Sequence, residues 1–265
     1  MNKIVIVSGA SSGIGYSIAK LLHENSFKVI GISRNYPKQP YAFEYQLVNI
    51  SKEDEVNSFA QRVEDEYGHI FALINCAGMG ISGAVEYTSL SSVHKIFDVN
   101  VLGAFLMTKA FIPLMRNHKG TKIINISSVA ADIAIPFQTF YSMTKASINA
   151  FTKALALELK PFGISVGAIM PGDTATGFTQ NREKSDPETH KDYGTRITRS
   201  VRRMEKDEQN GKNPITVAKI CLKMLNKKHM PLFRTVGLQY KLFVILNRIL
   251  PQRLIQYILY KMYAE

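Results

Sequence analysis

Cysteine is scarce in this chain: Cys76 and Cys221 are the two among 265 residues, far apart and without metal-ligand spacing. That argues against a disulfide framework and a structural zinc site, and reads simply as two reduced, buried thiols. The six histidines, at positions 23, 69, 94, 118, 190 and 229, show no ligand spacing either, so no metal is expected. Charged residues make up only 20% of the chain against 46% hydrophobic, a balance that supplies a packed core and rules out disorder. Long apolar runs are missing as well. Ile4 to Val7 is too short for a signal-peptide core, and a reducing cytoplasm is the expected compartment.

What charge there is lies unevenly. Residues 1–180 carry 15 Lys/Arg against 13 Asp/Glu, whereas residues 181–265 carry 18 against 8, so nearly all of the net +12 is C-terminal. Such a region attracts nucleic acid, an anionic membrane or an acidic ligand, and solvated helix faces look the same. No nucleic-acid-binding motif accompanies it, and no specific nucleic-acid partner is expected.

Short β-branched runs alternate with helix-like segments as far as residue 172, the pattern of a parallel sheet covered on both faces. Candidate strands are Lys3 to Ser8, Lys28 to Ser33, Phe43 to Val48, His69 to Asn75, Lys122 to Ser127 and Ile164 to Met170. Residues 178–213 are crowded with charge and read as a partly helical insert beside a strand's carboxyl end, where inserts often cover active sites. A helix is expected from Pro214 to Leu225. Nothing resembles an interdomain linker, so residues 1–237 are expected to form one catalytic domain with 178–213 as its lid, and 238–265 a helical extension of it. Lys241, Arg248, Pro251 and Arg253 interrupt that tail too often for a membrane span, and Pro251 should divide it into two helices. Its apolar stripe (Leu254, Ile255, Ile258, Leu259, Met262) and its tyrosines exceed what a surface helix needs. The tail therefore packs on its own core or a partner subunit, or lies in a membrane interface as a peripheral contact.

The chemistry-bearing residues sit at strand ends. The first strand runs into Gly9-Ala10-Ser11-Ser12-Gly13-Ile14-Gly15 and then a helix, a context in which unpaired backbone N–H groups and the helix dipole favour a phosphate. The second ends at Ser33-Arg34-Asn35, without the acid that holds the NAD ribose; Arg34 can pair instead with a 2′-phosphate, so NADP(H) is the expected cofactor. Asn49 and Ile50 close the third strand, at a position for an adenine contact. The fourth ends in Asn75-Cys76-Ala77-Gly78, and Asn100 lies in the helical stretch beyond it. The fifth ends at Ser127-Ser128, and thirteen residues after Ser128 stand Tyr141 and Lys145, four apart and so on one face of a helix.

In this order and spacing the motifs resemble those of the short-chain dehydrogenase/reductase family. The match covers residues 3–177 and again 214–225: S-G-A-S-S-G-I-G resembles its cofactor loop, N-C-A-G its N-A-G motif, Ser128 with Y-S-M-T-K its catalytic core, and P-G-D-T-A-T its nicotinamide loop. The resemblance implies a single doubly wound Rossmann-like α/β domain of about seven parallel strands, and NAD(P)-dependent interconversion of carbonyl and alcohol. It also implies catalytic roles for Asn100, Ser128, Tyr141 and Lys145, with Pro171, Gly172, Thr174 and Thr176 at the nicotinamide. Three departures stand out. Asn49 replaces the usual Asp; Asp173 and Thr174 fill positions more often apolar, so Thr176 is the better carboxamide contact; and the basic, aromatic tail is similar to that of 17β-hydroxysteroid dehydrogenase-like and lipid-acting members. The tail makes a homodimer the expected assembly rather than the family's usual tetramer.

On this reading Tyr141 gives the proton to a carbonyl oxygen, Lys145 supports it and holds the nicotinamide ribose, Ser128 orients the substrate oxygen, and Asn100 holds water that links Lys145 to solvent. A pocket of Met79, Gly80, Ile135, Phe137, Met170 and Phe178 would favour a hydrophobic ketone or alcohol. The alternative is a catalytically idle NADP-binding regulator on the same fold; it would have no need of the proton donor.

Overall fold

The computed structural model describes residues 3–184 and 191–265. In chain order its strands are β1 (Ile4–Ser8), β2 (Lys28–Ser33), β3 (Glu44–Leu47), β4 (Ala72–Asn75), β5 (Ile81–Ser82), β6 (Lys122–Ile126), β7 (Ser165–Pro171), β8 (Glu183–Lys184) and β9 (Phe233–Val236). Its helices are α1 (Gly13–Glu24), α2 (Glu53–Tyr67), α3 (Leu90–Phe97), α4 (Gly103–Phe111), α5 (Pro113–Arg116), α6 (Thr139–Glu158), α7 (Arg196–Gln209), α8 (Ile215–Leu225), α9 (Leu238–Ile249) and α10 (Gln252–Tyr263).

Seven strands form one parallel sheet in the order β3-β2-β1-β4-β6-β7-β9. Alternation along β1 shows why: Ile4 and Ile6 pack into the core on one face, with Phe59 and Phe111, while Val5 and Val7 pack into the other, with Ile18 and Cys221. A strand apolar on both sides is stable only when helices cover both, and right-handed crossovers place them there. The order reverses between β1 and β4, which opens a crevice beyond the strands' carboxyl ends.

The expected strands are present with small shifts. The fourth begins at Ala72 rather than His69, because before it only isolated backbone bonds form, such as Phe71 N–H to Ile4 O at 2.8 Å. The short seventh strand is Phe233–Val236, the helix after Pro214 runs Ile215–Leu225, and Pro251 separates α9 from α10. In the insert, β8 pairs with β5 and α7 follows; residues 185–190 of the expected lid lie outside the described residues. The stretch Leu90–Phe111 has the length and apolarity of a membrane span; one side of it is packed inward, with Ile96, Met107 and Phe111 fully buried, while Leu90, Leu102 and Phe105 are exposed. A π-helical turn at Asp98–Leu102 interrupts it and carries Asn100, a kind of irregularity that is frequent at functional sites.

Candidate active site

A cavity of about 1320 Å³ occupies the crevice. Its floor is the β1–α1 turn, where glycine is obligatory twice. Gly9 has φ +69°, and a Cβ on it would stand 2.7 Å from Ala77 Cα; a Cβ on Gly15 would stand 2.2 Å from the Gly9 carbonyl oxygen. The tight turn brings Ser11, Ser12, Gly13 and Ile14 to the cavity together with the N-terminus of α1, whose first N–H groups have no intrahelical partner.

Beyond β2, Ser33 Oγ donates to Asn35 O at 2.5 Å and Tyr45 Oη to the same oxygen at 3.0 Å. This fixed turn presents Arg34, which is exposed, lines the cavity and makes no ion pair among the described residues. Asn49 and Ile50 line the same end. The Asn49 side-chain oxygen is taken by the Ser51 N–H at 3.1 Å, leaving its amide NH2 as the group free to meet a ligand. Ala77 and Gly78 also line the cavity. Asn75 is placed differently from the sequence reading. Its buried amide donates to Thr108 Oγ1 at 3.1 Å and Asn125 Oδ1 at 2.9 Å, cross-linking the sheet to α4 instead of reaching the cavity.

At the other end, β6 delivers Ser128 while α6 delivers Tyr141 and Lys145 one turn apart. Lys145 Nζ lies 5.7 Å from the centre of the Tyr141 ring and donates to Ile126 O at 2.9 Å. Burial pushes the Tyr141 phenol up to about 12, against the opposing hydrogen bond from Ser128. Burial likewise pulls the Lys145 ammonium down to about 8. At neutral pH the phenol therefore keeps its proton and the lysine keeps most of its charge.

Asn100 lies outside the cavity wall, beside Lys145 at Gly78. Its side-chain oxygen accepts from Met79 N–H at 2.8 Å, and its NH2 donates to Met79 O at 2.9 Å and Thr144 Oγ1 at 3.1 Å. With every one of these groups engaged, it clamps the loop after β4 to the helix turn that bears Lys145.

Pro171, Gly172, Thr174 and Thr176 line the cavity after β7. The two threonine hydroxyls are used locally: Thr174 Oγ1 donates to Gly172 O at 3.0 Å and Thr176 Oγ1 accepts from Phe178 N–H at 3.2 Å. Phe178 then covers Tyr141, with ring centres 5.5 Å apart. Met79, Gly80 and Ile135 line the cavity. Met170 and Phe137 do not: Met170 is buried in β7 against Asn149, and Phe137 packs edge-on against Tyr193.

Sequence reasoning missed two parts of this wall. One is polar: Asp173, Asp207 and Glu208 line the cavity, with Glu208 paired to the fully buried Arg182 and accepting from Thr179 Oγ1 at 2.6 Å. Asp173 stood out in the sequence only as an acid at a position more often apolar, and nothing in the charge-crowded insert distinguishes Asp207 and Glu208 from solvated acids. The other is the tail, whose Leu246, Ile255, Leu259 and Met262 face the cavity; the stripe 255, 259, 262 was the available signal.

The family model for short chain dehydrogenases matches residues 3–187. The chain belongs to this family. Its sequence is 36% identical to a 3-ketodihydrosphingosine reductase of Bacteroides thetaiotaomicron, over 99% of this chain and 98% of that one. It is 32% identical over 187 residues to mitochondrial D-beta-hydroxybutyrate dehydrogenase of Bos taurus, covering 65% of this chain and 54% of that one. A solved short-chain dehydrogenase from Streptomyces avermitilis superposes with a TM-score of 0.82 at 26% identity, over 92% of this chain and 91% of that one. As a short-chain dehydrogenase the chain is an oxidoreductase of carbonyl and alcohol groups with a nicotinamide cofactor. The likeness of its tail to 17β-hydroxysteroid dehydrogenase-like members has no counterpart among these relatives.

Proposed function

We propose that this short-chain dehydrogenase is an NADP(H)-dependent reductase of an amphiphilic, lipid-like ketone, with Tyr141 as the proton donor. The observation that carries the reading is one continuous cavity. It runs from Arg34 and the α1 N-terminus, past Ser128, Tyr141 and Lys145, to apolar walls on α9 and α10.

The residues present fit the cofactor. The glycine-only turn leaves the α1 N-terminus open to a diphosphate, and Arg34, free of a carboxylate partner among the described residues, suits a 2′-phosphate better than a bare ribose. When bound, the dinucleotide supplies the hydride. Ser11 to Gly15 would hold its phosphates, Arg34 and Asn35 its adenosine end, and Lys145 with Thr176 its nicotinamide end.

The chain's own residues handle the proton. Hydride arriving at a carbonyl carbon leaves negative charge on oxygen, and that charge must be neutralised. Tyr141 holds a proton at neutral pH because burial disfavours the phenolate, so it is ready to donate. Ser128 Oγ orients the accepting oxygen. The Lys145 ammonium stabilises the phenolate that forms, which lowers the cost of charging Tyr141 in a buried site. Asn100 keeps the Met79 loop and the Thr144–Lys145 turn in register.

For the substrate, the tail walls accept an alkyl chain, while the carboxylates of Asp173 and Glu208, held by Tyr240 and by Arg182 and Thr179, make the wall near Tyr141 polar. The similarity to a 3-ketodihydrosphingosine reductase of Bacteroides supports a lipid-like carbonyl substrate. Two free thiols, Cys76 and Cys221, fit the reducing cytoplasm in which we place the reaction.

The test is oxidation of NADPH by purified protein with long-chain 3-keto amphiphiles, beside short water-soluble ketones and the Tyr141→Phe variant. Turnover that rises with chain length and vanishes in the variant supports the reading. NADPH binding without turnover on any ketone favours the idle cofactor-binding protein instead.

A further inference from the structure

We infer that the outward faces of α9 and α10 dock on an anionic lipid surface, holding the tail side of the cavity against the bilayer. Each helix is apolar on two sides. The inward side lines the cavity, through Leu246 on α9 and Ile255, Leu259 and Met262 on α10. The outward side of α9 carries Leu242, Ile245 and Ile249, spaced i, i+3 and i+7 and so in one stripe. All three are exposed, Ile249 to 72%, and none lines the cavity. Lys241 and Arg248, each one residue before a member of the stripe, lie along one edge of it, and Arg248 is 3.8 Å from Asp132. On α10 Leu254, Tyr257 and Tyr260 are exposed outside the main cavity, and Ile258 is exposed at its edge, with Arg253 and the Glu265-paired Lys261 beside them.

Charge decides between the occupants of such a face. From residue 238 to 264 there are four basic residues and no acid, and Glu265 is the single acid after them. A second copy packed about a two-fold axis that crosses the helix would bring the same basic edge against itself, which like charges oppose. A neutral protein surface would leave Lys241 and Arg253, which make no ion pair among the described residues, without partners, whereas Arg248 already lies 3.8 Å from Asp132 and Lys261 pairs with Glu265. An anionic bilayer satisfies both halves of the pattern: leucine and isoleucine enter the acyl boundary, tyrosines sit at headgroup depth, and lysine and arginine reach the lipid phosphates. The charges and Pro251 preclude a span, so the helices lie on the surface. A lipid ketone would then have only the thickness of one helix to cross between bilayer and cavity. The docking itself does not depend on what the cavity reduces.

The experiment is sedimentation of the full-length protein with vesicles of phosphatidylcholine alone and of phosphatidylcholine with phosphatidylglycerol, at low and high salt. Binding is expected to the anionic vesicles and to fall about tenfold or more with high salt, as screening shortens the reach of the surface charge. Lys241→Gln/Arg253→Gln should weaken it about tenfold, and Leu242→Gln/Ile245→Gln should weaken it at low and high salt alike. The melting temperature and circular dichroism of both double variants should match the parent, since all four positions point outward. Equal binding to neutral and anionic vesicles, or none to either, overturns the proposal. So does a dimer that the Leu242→Gln/Ile245→Gln pair dissociates in sedimentation velocity, for the occupant would then be a second copy. None of these readouts requires turnover, so they fail or succeed separately from the reductase assignment.

Discussion

Tyr240 donates its phenolic hydrogen bond to the Asp173 carboxylate, and its ring fills the space beside Gly172, where a Cβ would stand 2.3 Å from Tyr240 Cδ2. One residue of the tail is thus tied to the loop that follows β7 by a hydrogen bond and by close packing. Burial raises Asp173 while the Tyr240 hydroxyl opposes that rise, and Tyr240 itself is pushed up by burial and by the carboxylate.

Removing that hydroxyl strands a partly buried carboxylate. Tyr240→Phe should destabilise the fold by about 1–3 kcal/mol, the cost of leaving a buried acceptor unpaired. Denaturant unfolding measures the loss. Gly172→Ala should cost more than the Phe variant, because its methyl group displaces the ring and the tail with it; limited proteolysis after α9 would register the released tail.

Tyr141→Phe should reduce turnover by about 10²–10⁴-fold, the usual contribution of a positioned general acid. The ring and its contact with Phe178 survive the change, so the dissociation constant for NADPH should stay within about threefold, well under 1 kcal/mol. Stopped-flow kinetics and fluorescence titration separate the two effects.

Arg34→Ala should weaken NADPH binding by about 10- to 100-fold, since a hydrogen bond to a charged group is worth about 1.5–3 kcal/mol, and leave NADH nearly unchanged. The loop should hold its shape, because Ser33, Asn35 and Tyr45 form it without the Arg34 side chain. Equal loss for both cofactors would show that Arg34 serves the turn rather than a phosphate.

Lys145 binds its proton less tightly folded, at about 8, than at its ordinary 10.5. Between those values the unfolded chain holds more protons, so this group makes stability rise with pH across the window; below about 8 the full penalty of burying an ammonium is present. Lys145→Met removes that penalty. Its melting temperature should exceed the parent's at pH 7, and the advantage should shrink steadily toward pH 10. An advantage independent of pH would mean that packing, not charge, sets the difference.

Much of the architecture is written in local pattern. Apolar runs buried on both faces, such as Ile4 to Val7, are legible because a central parallel strand admits nothing else. Gly9 and Gly15 announce the tight turn because any side chain there meets backbone. The spacing of Tyr141 and Lys145 is legible because four residues is one helical turn.

Other roles depend on which distant groups come within hydrogen-bond range. Asn75 and Asn100 are both asparagines beside the expected site, yet one ties the sheet to α4 and the other clamps the Met79 loop. Spacing along the chain carries no information about partners 21 to 50 residues away. Arg182 and Glu208 look like surface charges until the insert folds back and buries them together. The tail's two apolar sides were visible as excess hydrophobicity; that one side walls the cavity while the other stays bare is a matter of how α9 and α10 dock. The sequence by itself therefore determined the strands, the glycine turn and the Tyr141–Lys145 pair, because those follow from steric and periodic constraints between near neighbours. Only the tertiary structure decided which polar side chains are spent on one another and which face of the tail is left outward, because desolvation and hydrogen-bond competition act between segments that meet only in the folded chain.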